Sequence, residues 1–142
     1  MKAFFDTSVL VPVFYGDHEH HDASLAVFVR YAKDDAFCGA HSLAEVYSTL
    51  TGMPGKYRVT GDQAMLFVGT ILERLNVIAL SAEEYGAAIE TWSKLGITGG
   101  TIYDALLASC ALKAEVGVIY SWNGRHYRQL GPEVEGRLRL PR

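Results

Sequence analysis

Four short apolar runs, residues 2–5, 36–39, 76–80 and 116–121, are separated by longer stretches whose apolar residues recur with helical spacing. That alternation restricts the chain more than any other feature. Strands this short bury themselves only as members of a shared sheet, and helices placed between them pack on its faces. The expected fold is α/β, an α/β/α sandwich around a central, mostly parallel sheet. Residues 8–15 form an apolar turn or short helix containing Pro12. A helix is expected over 18–35, with Leu25, Phe28, Val29 and Ala32 on its buried face. Leu43, Val46, Tyr47 and Leu50 mark another over 42–51, with Glu45 off the apolar face, and Gly52, Pro54 and Gly55 stop it. Ala64, Phe67, Val68, Ile71, Leu72 and Leu75 define a third, followed by helices over 81–95 and 101–114. Residues 137–140 add a short edge strand.

At 142 residues and 49% apolar composition, the chain can bury a core as one domain spanning 1–142. Cys38 and Cys110 lie far apart in no metal-ligand spacing, which fits a reduced, cytoplasmic setting. The N-terminal run looks like a signal peptide, but Asp6, Thr7 and Ser8 interrupt it. No apolar stretch approaches the roughly 18 residues of a membrane span. A net charge of −3 means that a nucleic-acid partner must be met by a local basic patch or by metal ions.

Asp104 sits in TIYDALLASCALKA, a run otherwise poor in charge, and an isolated buried carboxylate costs on the order of several kcal/mol. It needs a partner. In parallel sheets functional groups gather beyond the carboxyl ends of strands. Asp6 and the segment SWNGRHY stand at such ends, and Glu45 and Asp104 begin helices on that side. Both Ser42-Leu-Ala-Glu45 and Thr101-Ile-Tyr-Asp104 also match the capping pattern, as does Ser81-Ala-Glu-Glu84, so helix capping competes with chemistry for Glu45 and Asp104. If the three carboxylates converge, their mutual repulsion calls for a hard divalent cation, Mg²⁺ or Mn²⁺, and such an ion suits phosphodiester hydrolysis.

FFDTSVLVP, HSLAEVYSTLT, GGTIYDALLASCALKAEVGVIYSWN and RHYRQL follow one another at this length, and in that order they resemble the PIN-domain nucleases. Within that family the likeness is to the VapC-type toxin ribonucleases of toxin–antitoxin pairs. The resemblance implies a PIN-like sandwich and a Mg²⁺- or Mn²⁺-dependent endoribonuclease. Asp6, Glu45 and Asp104 match the family's principal acidic metal ligands. Ser8 and Ser121 match its supporting hydrogen-bonding residues. Asn123 stands where many relatives carry a fourth catalytic aspartate, which removes one negative charge and puts a second metal in doubt. RNA as substrate, a cognate antitoxin and a homodimer are implied as well. The apolar groups at 64–75 and 85–95 also suggest the homodimer.

Lys56, Tyr57 and Arg58 form a loop suited to RNA by charge and stacking, with Arg125 and His126 as further candidates. His41 and His126 flank the proposed site. The run DHEHH at 17–21 places His18 and His21 three apart, but without a third soft ligand it reads as a solvated helix start. Two other functions compete. A phosphoaspartyl hydrolase would need a second Asp where Ser8 stands. A catalytically weak PIN-like scaffold that binds RNA or a partner has no reason to concentrate carboxylates where phosphate must approach.

Overall fold

The computed structural model describes all 142 residues. In chain order the elements are β1 (Ala3–Phe5), α1 (Thr7–Phe14), α2 (His21–Arg30), β2 (Ala36–Gly39), α3 (Ala40–Thr51), α4 (Gly61–Arg74) and β3 (Asn76–Ile78). Next come α5 (Ala82–Lys94), α6 (Thr101–Lys113), β4 (Val118–Tyr120), α7 (Gly124–Arg128), α8 (Pro132–Glu135) and β5 (Leu138–Arg139). The strands order as β3-β2-β1-β4-β5, and every pair is parallel. The expected edge strand is present as β5, and the sheet is parallel throughout.

Side chains alternate between two cores because successive strand residues point to opposite faces. Phe5 joins Val9, Leu10, Val27, Phe28, Val46 and Ile71 under α1 to α4. Phe4 joins Phe37, Trp92, Leu107, Ala108 and Tyr127 under α5 to α8. β1 is buried on both faces, as a central parallel strand should be.

Helix α2 differs from the expected 18–35. It runs from His21 to Arg30 and buries Ser24, Val27 and Phe28, leaving Leu25 and Val29 exposed and Ala32 beyond its end. Two local bonds account for the later start and the rotated face. The His20 N–H donates to His18 Nδ1 at 3.0 Å, holding the chain in a turn, and His21 Nδ1 pairs with the Pro12 carbonyl at 2.7 Å, fixing the helix against α1. Tyr47 and Leu72 are also exposed, because α3 and α4 bury narrower stripes than their apolar spacing suggests. α4 thereby shows Met65, Leu66 and Leu72 to solvent, and α5 shows Tyr85 and Ile89. This is the apolar surface on which the homodimer expectation rests. No helix is long and apolar enough to cross a membrane. Both cysteines are free and buried, and burial pushes the Cys38 thiol up to about 12.

The carboxyl end of β2 requires a residue without a side chain. A Cβ on Gly39 would meet Leu107 Cδ2 at 2.5 Å, with Phe4 and Cys110 behind it. Gly39→Ala should therefore destabilise the protein by about 1–3 kcal/mol, the usual cost of overpacking, seen as a lower urea midpoint with unchanged m-value.

Candidate active site

Parallel strands bring their carboxyl ends to one edge, where Asp6 follows β1 and Ser121 follows β4. There a cleft of about 490 Å³ is lined by Asp6, Glu45, Asp104 and Asn123, and no Lys or Arg lines it. Four positions from distant parts of the chain thus converge as expected.

Asp6 is 1% exposed, and both its carboxylate oxygens are hydrogen-bonded. Its Oδ2 accepts from the Ser8 hydroxyl at 2.6 Å, the Ser121 hydroxyl at 3.0 Å and the Ser8 N–H at 3.2 Å. Its Oδ1 accepts from the Tyr127 hydroxyl at 2.7 Å. The same carboxylate caps α1 through the Ser8 N–H. Thr7 Oγ1 donates to Glu45 Oε1 at 2.9 Å and lies 2.8 Å from Ser42 Oγ. Asp104 Oδ2 lies 2.6 Å from His126 Nδ1. An ionised carboxylate only accepts, so the Nδ1–H donates.

Capping does not account for the two helical carboxylates. The capping box forms fully at Ser81 and Glu84, and at Thr60 and Gln63. At α3 and α6 the N-caps are Gly39 and Gly100, neither with a side-chain cap bond, and Ser42 and Thr101 already lie inside their helices. Glu45 and Asp104 are thereby released to face the cleft.

The electrostatics are those of a site short of positive charge. Burial raises the Asp104 pKa above the ordinary carboxylate value, His126 counteracts it, and the charges of Asp6 and Glu45 push it higher. Tyr127 is pushed well above its usual range by burial first and by the Asp6 charge next, so it stays a neutral donor. The donor set is all oxygen, which fits a hard divalent ion. No three His, Cys, Asp or Glu side chains close on one point as a complete cage.

Residues 3–130 match the PIN domain family. The chain belongs to that family. It is 35% identical over 132 residues to Ribonuclease VapC27 of Mycobacterium tuberculosis (strain ATCC 25618 / H37Rv), covering 91% of this chain and 92% of that one. Over 109 residues it is 34% identical to Ribonuclease VapC40 of Mycobacterium tuberculosis (strain CDC 1551 / Oshkosh), with 77% and 78% covered. Its fold is similar to that of Mycobacterium tuberculosis VapC20, a sarcin-ricin loop cleaving toxin, at TM-score 0.71 and 16% identity over 88% and 92% of the two chains. It is also similar to VapBC2 from Rickettsia felis bound to promoter DNA, at TM-score 0.66 and 18% identity over 99% and 98%. At such identities the structural likeness speaks for the PIN fold alone.

Within this PIN domain the other candidates separate. Asn123 lines the cleft, and its N–H donates to Ser121 Oγ at 2.9 Å. His41 is exposed, 4.0 Å from Glu45, with its ring stacked on Tyr103. Arg125, Lys56, Tyr57 and Arg58 are exposed outside the cleft lining. Glu84, assigned no chemistry, caps α5 and pairs with Lys113 at 2.8 Å. Sequence reasoning missed Thr7 and Tyr127, the partners of Glu45 and Asp6. Thr7 sits beside Asp6 in the sequence and could have been found by that proximity; Tyr127 reads as one more aromatic in a short helix.

Two outcomes follow from these contacts. Because Asp104 binds its proton more tightly folded than unfolded, its contribution to stability is full below the unfolded carboxylate pKa and is lost as pH rises through the folded value. In EDTA at neutral pH, Asp104→Asn should thus melt at or above the parent, with the gap closing on acidification, whereas Ser81→Ala should cost about 0.5–2 kcal/mol at either pH. Tyr127→Phe removes a donor from a buried charge and should cost about 1.5–3 kcal/mol in urea unfolding. Mn²⁺ titration calorimetry of the same variant should show roughly 10–100-fold weaker binding.

Proposed function

We propose that this protein is a Mg²⁺- or Mn²⁺-dependent endoribonuclease, the toxin of a toxin–antitoxin pair, acting on RNA phosphodiester bonds. The observation that carries the reading is the convergence of Asp6, Glu45 and Asp104 in one cleft that no Lys or Arg lines. The ribonuclease names of relatives at 34% and 35% identity support it.

Asp6, Glu45 and Asp104 are the groups that would hold the ion, and Asn123 adds a neutral carbonyl oxygen beside them. When bound, the ion supplies Lewis acidity, a more acidic water and compensation for charge on the leaving 3′ oxygen. The chain supplies fixed geometry. Ser8, Ser121 and Tyr127 hold both oxygens of Asp6, Thr7 holds Glu45, and His126 holds Asp104. With their rotamers already set, little reorganisation remains when phosphate arrives. The same uncompensated acidity suits a basic side chain of an antitoxin, which would block the cleft by occupying the position of the cation. Neutral Asn123 leaves a second ion to be completed mainly by substrate phosphate.

Asp6→Asn, Glu45→Gln and Asp104→Asn should each lower metal-dependent RNA cleavage by more than the roughly 10–100-fold loss typical of outer-shell partners, with circular dichroism unchanged. A variant that cleaves at the parent rate with Mn²⁺ would assign its residue a structural role.

A further inference from the structure

The cleft is rich in acceptors and poor in donors. A phosphodiester that enters it brings charged oxygens past Asp6, Glu19, Glu45 and Asp104, all of which line the opening. A cation answers one such oxygen, and another needs a hydrogen-bond donor. Most donors on the wall are already spent. The Thr7 hydroxyl is given to Glu45, the Ser8 hydroxyl to Asp6 and the Trp122 Nε1–H to Ser24 Oγ. His20 lies flat on Trp122, with ring centroids 3.7 Å apart, and its Nε2 stands 3.5 Å from Glu19 Oε1.

His18 is different, because three bonds hold it and one ring nitrogen is left over. Its N–H donates to the Tyr15 carbonyl at 3.1 Å, and its carbonyl accepts from the His21 N–H at 3.0 Å. Its Nδ1 accepts from the His20 N–H at 3.0 Å. A nitrogen that accepts in this way carries no proton, so the proton of the ring sits on Nε2. No unpartnered side-chain nitrogen is buried in this chain, and Nε2 bonds to nothing in it, so the Nε2–H reaches solvent beside the cleft that His18 lines. The fold thus fixes both the place and the tautomer of a neutral donor on an acidic wall.

Neutrality matters there. A lysine or arginine would pair with the carboxylates and compete with a divalent cation for them, whereas an imidazole N–H holds a phosphate oxygen and leaves the acids free. The histidines of this turn do not make a soft-metal site instead. His21 Nδ1 is turned to the Pro12 carbonyl, and no three ligating side chains converge. We propose that His18 contacts the substrate, its Nε2–H donating to a non-bridging oxygen of the phosphodiester in the cleft. The inference rests on the ribonuclease reading and adds to it a substrate-binding residue outside the carboxylate set. The turn that seats His18 is the one that delays the start of α2, so that departure from helical periodicity acquires a use.

Two readouts test this on the full chain at neutral pH with Mg²⁺. Long-range proton–nitrogen NMR, with His18 identified by the loss of its signals in His18→Gln, should show the Nε2–H tautomer. Inorganic phosphate should shift Nε2 of His18, and chloride at equal ionic strength should not. An Nδ1–H ring, or a titration that leaves His18 unmoved, would overturn the contact. Cleavage then separates the donor from the turn. In His18→Asn the amide oxygen takes the place of Nδ1 and keeps the turn without the donor; in His18→Gln the amide nitrogen takes the place of Nε2 and keeps the donor. His18→Asn should lower kcat/KM for an unstructured labelled RNA about tenfold, about 1.4 kcal/mol, the order of one hydrogen bond to a charged oxygen, and His18→Gln should recover most of that loss. Where the parent cleaves, a His18→Gln variant no better than His18→Asn would overturn the proposal and assign His18 to the turn alone. A parent that cleaves no RNA removes the ribonuclease reading by itself, and the phosphate titration then decides whether His18 holds phosphate.

Discussion

One buried carboxylate ties this molecule together. Asp6 leaves the first strand at 1% exposure and is tolerated there because its two oxygens accept from Ser8, Ser121 and Tyr127. Ser8 lies in the first turn of α1, Ser121 follows β4, and Tyr127 belongs to α7, so the charge joins the beginning of the chain to its last third. A buried charge is acceptable only when hydrogen-bonded in this way. Every donor is neutral, so the bonds satisfy the oxygens without cancelling the charge, and the negative field persists into the cleft. Fold and function meet in that group.

From this follows the character of the site. Glu45 and Asp104 are added to an uncompensated charge, and burial plus the neighbouring acids raise the Asp104 pKa. The fold absorbs this cost elsewhere, in two apolar clusters on opposite sheet faces. On the proposed reading a divalent ion would relieve the repulsion, so the groups that make the metal-free domain less comfortable would be those that make it competent.

Much of this was legible residue by residue. Short apolar runs and helical patterns gave the layers, because burial against a sheet imposes them wherever the chain runs. The carboxylates stood out because Asp6 and Asp104 interrupt apolar runs. The face of α2 was misjudged because His18 and His21 make local bonds that no periodicity encodes. Tyr127 was missed because a buried aromatic looks the same in sequence whether its hydroxyl is idle or holds a buried carboxylate. The capping pattern was ambiguous for a similar reason. The same spacing forms a box at Ser81 and Glu84 and none at Thr101 and Asp104, where Thr101 is the first residue of the helix rather than its cap.

By itself, then, the sequence determined the α/β order, the three acids and the family resemblance, since each is written in local spacing and residue type. Tertiary structure decided which acids are caps and which are free, and which hydroxyls hold them. Those outcomes depend on distances between segments up to 121 residues apart, and such distances are set by how the helices seat on the sheet.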